Sequence, residues 1–351
     1  MSTHENRSAY VRSPWQFEVR DNPVGDPGPG ELLVEIAACA VCGTDLDIVE
    51  SLAEEWQVFG HEVAGIVRQT GEGVIRFSVG DRVALDSSAP CGECEICQPE
   101  PWGRGRPELC RTPATYWGSD AMGFGEMLVT PHECAVAVPD EMSLDVAALA
   151  EPLGVSLDLV QTAQVRPGDH VLVVGPGPLG LGAVALSKRA GAERVVLAGR
   201  SHSHARLETG DALGADEIVL VDQQPLADYD FGKRAPDRVL CTAPPAALPE
   251  CIGLVAFGGT VAYIGIAWGP EAVIELDADD FHFRKLSLRA SHASPGTHAA
   301  ECVRLLREMP HLGEQLISHR FALDDIAGAL ETARDDRSSV KKMVMVSASQ
   351  A

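Results

Sequence analysis

Cys42, the adjacent pair His61 and Glu62, and Glu151 could together hold a metal. Further along, Gly175-Pro176-Gly177-Pro178-Leu179-Gly180 forms a glycine-rich turn. One thiolate, one imidazole and carboxylates are the mixed donor set of a zinc site that keeps a coordination position open for substrate. The turn ends an apolar run and opens a helical stretch, where a dinucleotide pyrophosphate can sit on the helix N-terminus. A Lewis acid and a nicotinamide together imply hydride transfer at an alcohol carbon.

Each piece has a plainer explanation when taken alone. Cys42, in Cys39-Ala40-Val41-Cys42-Gly43-Thr44-Asp45, could be a core thiol, and His61, in Phe59-Gly60-His61-Glu62-Val63, a satisfied buried histidine. Four further cysteines are more specific. Cys91, Cys94, Cys97 and Cys110 have the spacing C-x2-C-x2-C-x12-C, which offers four thiolates to a closed tetrahedral zinc of structural type. Such a site leaves no position open for chemistry. It would instead hold together an acidic lobe with little apolar content.

A glycine triplet is by itself a weak signal, but here context supports it. Val171-Leu172-Val173-Val174 precedes Gly175, Gly177 and Gly180, and Pro178, Leu179 and the residues up to Ala190 continue as a helix. The following strand ends where an NAD-binding protein carries an acidic ribose ligand. This chain has Gly199-Arg200-Ser201 there, with Arg206 close behind. A small residue and a guanidinium make room for a 2′-phosphate and bind it, so NADP is favoured over NAD. The plainer alternative is that Arg200 is a solvated loop residue stacked on adenine.

These groups must be positioned by two kinds of structure. Residues 11–150 show short strands broken by Gly and Pro: Leu32–Ala38, Val63–Arg68, Arg82–Leu85, Glu126–Val129 and Cys134–Ala137. From about Gly154, strand-like runs alternate with helical stretches: Val171–Val174, Val195–Ala198, Ile218–Val221, Arg238–Cys241, Thr260–Ile264 and Leu286–Ala290. Six such strands predict a doubly wound parallel α/β sheet. After His292 come a helix near Ala299–Met309, a strand around Ser318–Ala322, a helix over Leu323–Arg334 and a closing strand Lys342–Val346. This tail is expected to return to the first domain. The predicted domains are therefore 1–153 completed by 293–351, and 154–292.

A chain of 351 residues is long for one core, which agrees with two domains. With 51 acidic against 28 basic residues the net charge is −23, which argues against nucleic acid or an anionic membrane surface as partner. The uncharged stretch Val171–Ser187 is too short and too rich in glycine for a spanning helix. The N-terminal residues contain no apolar signal segment, and the clustered cysteines suit a reducing compartment, so a cytoplasmic location is expected.

The elements CGTD, GHE, CGxCxxC, VGDRV, EPL and GPGPLG stand in the order found in the zinc-dependent medium-chain alcohol dehydrogenases, across residues 30–346. The EPL form resembles the polyol (sorbitol), threonine and glucose dehydrogenase branch. The resemblance implies a GroES-like catalytic domain, a Rossmann domain and two zinc ions per chain, one catalytic and one structural. By the same resemblance Cys42 and His61 would ligate the catalytic zinc. Glu62 and Glu151 would share the remaining protein positions, one binding directly and the other through water or by exchange. Asp45 would accept the free ring N–H of His61, and Thr44 would hydrogen-bond the substrate hydroxyl and begin a proton relay. The family usually carries a histidine five residues after the zinc cysteine. Asp47 stands there instead, so the outer relay would run through a carboxylate or through water.

The expected substrate is a secondary alcohol or its ketone on a sugar, polyol, cyclitol or amino-sugar precursor. Trp56, Phe59, Trp117, His292 and Ser294 are candidate pocket residues. Threonine or a simple alcohol is the alternative substrate. A zinc-independent quinone or enone reductase, or a nonenzymatic NADP sensor, are rival functions. The resemblance also implies a homodimer or homotetramer joined through the last strand of the cofactor sheet.

Overall fold

The computed structural model describes residues 3–339 and 341–347; the ends of the predicted first domain, residues 1–2 and 348–351, lie outside the described residues, as does residue 340. The chain divides into two compact units. One takes the chain up to Gly154, Ala293–Asp336 and the chain from Lys342 onward. The other takes Val155–His292 and Arg337–Lys341.

The first unit is built on a seven-stranded mixed sheet. Its path runs Ala135–Ala137, Arg82–Leu85, Glu62–Thr70, Glu31–Ala40, Lys342–Val346, Ile317–Phe321, and Met127–Pro131 also pairs with Glu31–Ala40. The strands expected at Leu32–Ala38 and Val63–Arg68 each run three residues longer. Leu33, Val34, Ile36, Val63, Val67, Val83, Leu85 and Leu128 are fully buried along it. Each such side chain contributes roughly 1.5–3 kcal/mol on leaving water. A three-stranded sheet of Gln16–Asp21, Arg7–Arg12 and Gln57–Val58 precedes it. These first two strands were not apparent in the sequence because each mixes charged and polar residues with only two or three apolar ones.

Register in the large sheet explains why distant residues meet. Ala40 faces Glu62 on one side and Val344 on the other, and the Val41 N–H donates to the Met343 carbonyl at 2.9 Å. Continuing that ladder by two residues brings Lys342 opposite Cys42, beside the start of the strand that carries Glu62. Val63 in turn faces Leu85, so Asp86 follows on the far side of Glu62.

The second unit is a six-stranded, all-parallel sheet in the order Glu217–Leu220, Arg194–Gly199, His170–Val174, Arg238–Cys241, Thr260–Tyr263, Ser287–Ala290. This is the doubly wound order expected from the alternating pattern. Its central strands are buried on both faces, which is why Val171–Val174 reads as a continuous apolar run. Leu172, Val196, Val239 and Val261 form its core. Among the described residues, no helix is long and apolar enough to cross a membrane.

Candidate metal centres and nucleotide-binding turn

Cys42 caps the short helix Gly43–Asp47, and its backbone N–H donates to Asp45 Oδ2 at 2.8 Å. His61 follows Gly60, whose φ of +90° and contact with Phe124 exclude a side chain: a Cβ there would lie 2.6 Å from the Phe124 ring. The Tyr116 hydroxyl donates to the His61 carbonyl at 2.7 Å, fixing the backbone on the other side. Glu62 opens the next strand and is 1% exposed.

Ligand atoms of Cys42, His61 and Glu62 lie within 4.8 Å of one another. Glu151, at the start of the helix Ala150–Ala163, is not in this mutual set, although its carboxyl senses the charges of His61, Glu62 and Cys42. Asp45 Oδ1 lies 3.7 Å from His61 Nδ1, beyond hydrogen-bonding distance, so the expected second partner of the ring faces it without a formed bond. Thr44 Oγ1 is 3.7 Å from Cys42 Sγ, and Asp47 is half-buried at the end of the same helix.

Electrostatics give a physical test of whether a cation fits here. Burial pushes Cys42 up to about 12, with Glu62 adding to the rise and Lys342 opposing it. Burial is likewise the first cause that lifts Asp45 to about 6, Asp86 to about 7 and Glu151 well above the usual carboxylate range. Four acids gathered in a dry region resist ionisation together, and a divalent cation reverses that preference. Asp45 Oδ1, His61 Nδ1 and Glu62 Oε2 are also buried without a hydrogen-bond partner. These residues fit a metal.

Two groups beside this set did not stand out in the sequence. Lys342 Nζ lies 2.5 Å from Glu62 Oε1, both almost wholly buried. Burial lowers the Lys342 pKa, but Glu62 and Cys42 outweigh it and the net shift is upward. The available signal was a lysine opening an otherwise apolar strand, Lys342-Met343-Val344-Met345-Val346. The second is Asp86, 8% exposed, where the strand Arg82–Leu85 ends.

The candidate pocket residues separate. The Trp117 ring lies 5.0 Å from the His61 ring and remains 46% exposed, and Ser294 Oγ is 3.0 Å from Ser88 Oγ. Phe59 is instead a core residue packed 4.8 Å from Phe124. Trp56 has the Arg12 and Arg20 guanidiniums over its ring, just before the strand Gln57–Val58. His292 falls in the second unit.

In the cysteine lobe, the Sγ atoms are separated by 3.9 Å (Cys91–Cys97), 3.5 Å (Cys94–Cys97), 3.9 Å (Cys94–Cys110) and 3.6 Å (Cys91–Cys110). A disulfide needs about 2.05 Å. A tetrahedron with zinc–sulfur bonds of about 2.3 Å has edges of about 3.8 Å. The four thiols thus form the corners of a metal cage. Backbone N–H groups of Cys94 and Glu93 bring Cys91 down to about 6, so one thiolate forms readily at neutral pH.

In the second unit, Gly175 and Gly177 lead into the helix Pro178–Arg189, with Pro178 and Leu179 as its first residues. A Cβ on Gly180 would lie 1.9 Å from the Gly175 carbonyl oxygen, so the turn closes only on glycine. The Thr242 hydroxyl lies 3.1 and 3.0 Å from the carbonyls of Val174 and Gly175 and ties the turn to the next strand. At the end of the strand Arg194–Gly199, the Ser201 N–H and hydroxyl donate to Asp222 at 2.8 and 2.5 Å. Arg200 caps the turn, and Arg206 lies half-buried on the first turn of the helix His204–Ala212.

The model of an alcohol dehydrogenase GroES-like domain matches residues 28–140, and that of a zinc-binding dehydrogenase matches residues 178–308. L-threonine 3-dehydrogenase of Rhizobium etli is 30% identical, over 93% of this chain and 94% of its own. A short chain alcohol dehydrogenase (rspB) from E. coli CFT073, solved in complex with NADH, superposes with a TM-score of 0.86 at 27% identity, covering 97% of this chain and 99% of its own. A Sinorhizobium meliloti 1021 protein assigned as a zinc-binding dehydrogenase and bound to NADP gives a TM-score of 0.86 at 26% identity, covering 98% and 99%.

Proposed function

The chain belongs to the zinc-dependent medium-chain alcohol dehydrogenases, and from that premise we propose that it interconverts a secondary alcohol and its ketone on a polyhydroxylated skeleton, using NADP. The observation that carries this reading is the convergence of half-buried Cys42 with buried His61 and Glu62. In this reading Cys42, His61 and Glu62 would hold the catalytic zinc, with Glu151 as the further carboxylate beside them. Cys91, Cys94, Cys97 and Cys110 hold a structural zinc. When bound, zinc supplies a Lewis acid that lowers the pKa of the substrate hydroxyl, and NADP supplies a ring carbon that accepts hydride.

The side chains do the remaining work. Asp45 holds the Cys42 backbone and faces the His61 ring, leaving Nε2 as the nitrogen for the metal. Thr44 hydrogen-bonds the substrate hydroxyl and, as it accepts that proton, gives up its own hydroxyl proton to the outer relay. Asp47, three residues on in the same helix, passes that proton towards solvent. Gly175, Gly177 and Gly180 let the pyrophosphate approach the helix that begins at Pro178 and Leu179. Gly199, Arg200, Ser201 and Arg206 receive the adenosine end and favour the 2′-phosphate.

Asp86 and the Ser88–Ser294 hydroxyl pair support a substrate that carries further hydroxyl or amino groups. A second reading is an amino alcohol such as threonine, favoured by the 30% identity to a threonine 3-dehydrogenase. The strand Ser287–Ala290 pairs on one side only among the described residues, and the exposed Trp268, Val273 and Phe283 precede it. We read that edge as the seam of a homodimer.

Metal analysis and turnover of a polyol, cyclitol and amino-alcohol panel test the central reading. Two zinc ions per chain are expected, and Cys42→Ser should remove one and abolish turnover while leaving the fold intact. Unchanged turnover in Cys42→Ser would refute it.

A further inference from the structure

We propose that Arg337, from the short segment that follows the helix Ile326–Asp335, completes the seat of the cofactor 2′-phosphate together with Arg200 and Arg206. The proposal rests on the NADP reading above and adds a residue from the far end of the chain. Arg337–Lys341 groups with the nucleotide-binding unit, although the helix before it and the strand Lys342–Val346 after it belong to the other. It is anchored on the first turn of the helix His204–Ala212, where the Ala205 N–H donates to the Ser338 carbonyl at 3.3 Å.

The segment therefore brings a second guanidinium to Arg206. Arg206 is half-buried, and desolvation first, then the charge of Arg337, weakens its hold on its proton. Placing like charges together costs free energy, and it is unexpected in a chain where acids outnumber bases 51 to 28. A group of charge about −1.5 to −2 lodged between the guanidiniums turns that repulsion into attraction. Planar forks from two directions suit a tetrahedral phosphate better than a single lysine does.

Asp222 accepts from both the N–H and the hydroxyl of Ser201, so it holds the Arg200–Ser201 turn in place. Those hydrogen bonds keep it ionised by lowering its pKa. The guanidiniums offered to the phosphate come from three elements: Arg200 from the strand end, Arg206 from the helix, and Arg337 from the returning segment.

Isothermal titration of the zinc-loaded full chain with adenosine 2′,5′-bisphosphate and with 5′-AMP tests the proposal. Arg337 is exposed, so Arg337→Ala leaves the packing untouched. The wild type should bind the bisphosphate at least about tenfold more tightly than 5′-AMP. Arg337→Ala should lose about 10- to 100-fold in bisphosphate affinity, the scale of a charge-assisted hydrogen bond, while 5′-AMP binding shifts far less. Arg337→Lys should recover part of the loss.

An unchanged preference in Arg337→Ala, with the preference collapsed in Arg200→Ala, overturns the role of Arg337 and leaves the NADP reading standing. A wild type that binds both nucleotides equally overturns both. Failure to bind either nucleotide overturns dinucleotide binding itself and this proposal with it.

Discussion

Replacing Lys342 by Ala tests the electrostatic account of the metal centre most directly. Lys342 and Glu62 form a contact of 2.5 Å, with side chains 5% and 1% exposed. Removing the ammonium strands a carboxylate whose second oxygen already lacks a partner, beside the Cys42 thiol. Breaking such a buried pair costs about 3–5 kcal/mol. For a cooperative unit of about 150–250 residues, each kcal/mol lowers Tm by roughly 2–4 °C, so the expected drop is roughly 6–20 °C. Urea unfolding of zinc-loaded and chelator-treated protein reads the loss. It should be smaller with zinc present, because the cation then takes over part of the neutralisation of Glu62. Lys342→Met combined with Glu62→Leu should recover most of the stability lost in Lys342→Ala, since an apolar pair of similar volume carries no desolvation penalty. The sign of the pH dependence follows from the raised pKa of Lys342. Its contribution is complete below about pH 10.4, the unfolded value, and is lost only as pH climbs through the higher folded value. The difference between wild type and Lys342→Ala should therefore stay flat from pH 6 to pH 9. A loss below about 1 kcal/mol, or a double variant as unstable as the sum of its singles, would refute the account.

Asp86 predicts a pH dependence of the same sign, but one that falls within the accessible range. Its folded pKa of about 7 lies above the ordinary 3.8, so the stability it confers is present below pH 4 and disappears as pH rises to 7. Asp86→Asn should gain on the wild type by up to roughly 4 kcal/mol between pH 5 and pH 8 in paired thermal melts, and parallel melting curves would contradict this. At the sheet edge, Phe283→Glu with Val273→Glu places charge on the exposed apolar approach to Ser287–Ala290. Sedimentation should then shift from dimer to monomer; a wild type already monomeric at micromolar concentration rules the seam out.

Much of this architecture was legible because its signals are local. The run Val171–Val174, the turn closing on Gly180 and the spacing of Cys91, Cys94, Cys97 and Cys110 each lie within a few residues of chain. The parallel strands carry their burial on both faces as unbroken apolar runs. The N-terminal ribbon was missed because Arg7–Arg12 and Gln16–Asp21 are amphipathic and partly exposed, with guanidiniums stacked on Tyr10 and Trp56. The exchange of Trp56 from pocket candidate to stacking partner has the same origin. An aromatic residue near a loop reveals its size but not its neighbour.

Lys342 and Asp86 illustrate a deeper limit, because their meaning is set by register. Glu62 is flanked in space by residues 280 positions and 24 positions away in sequence, and only the ladders Ala40–Glu62, Ala40–Val344 and Val63–Leu85 bring them together. Three chain segments must therefore pair correctly before Cys42, Glu62 and Lys342 share one dry volume. The unfolded chain holds no such site, so metal affinity there is also folding free energy, expressed as a cation-dependent gain in stability. Burial lifts Cys42, Asp45, Asp86 and Glu151 together, and the ammonium of Lys342 offsets only part of that charge. The fold thus keeps a deficit of positive charge at one point, and a divalent cation is the group whose charge and size balance it.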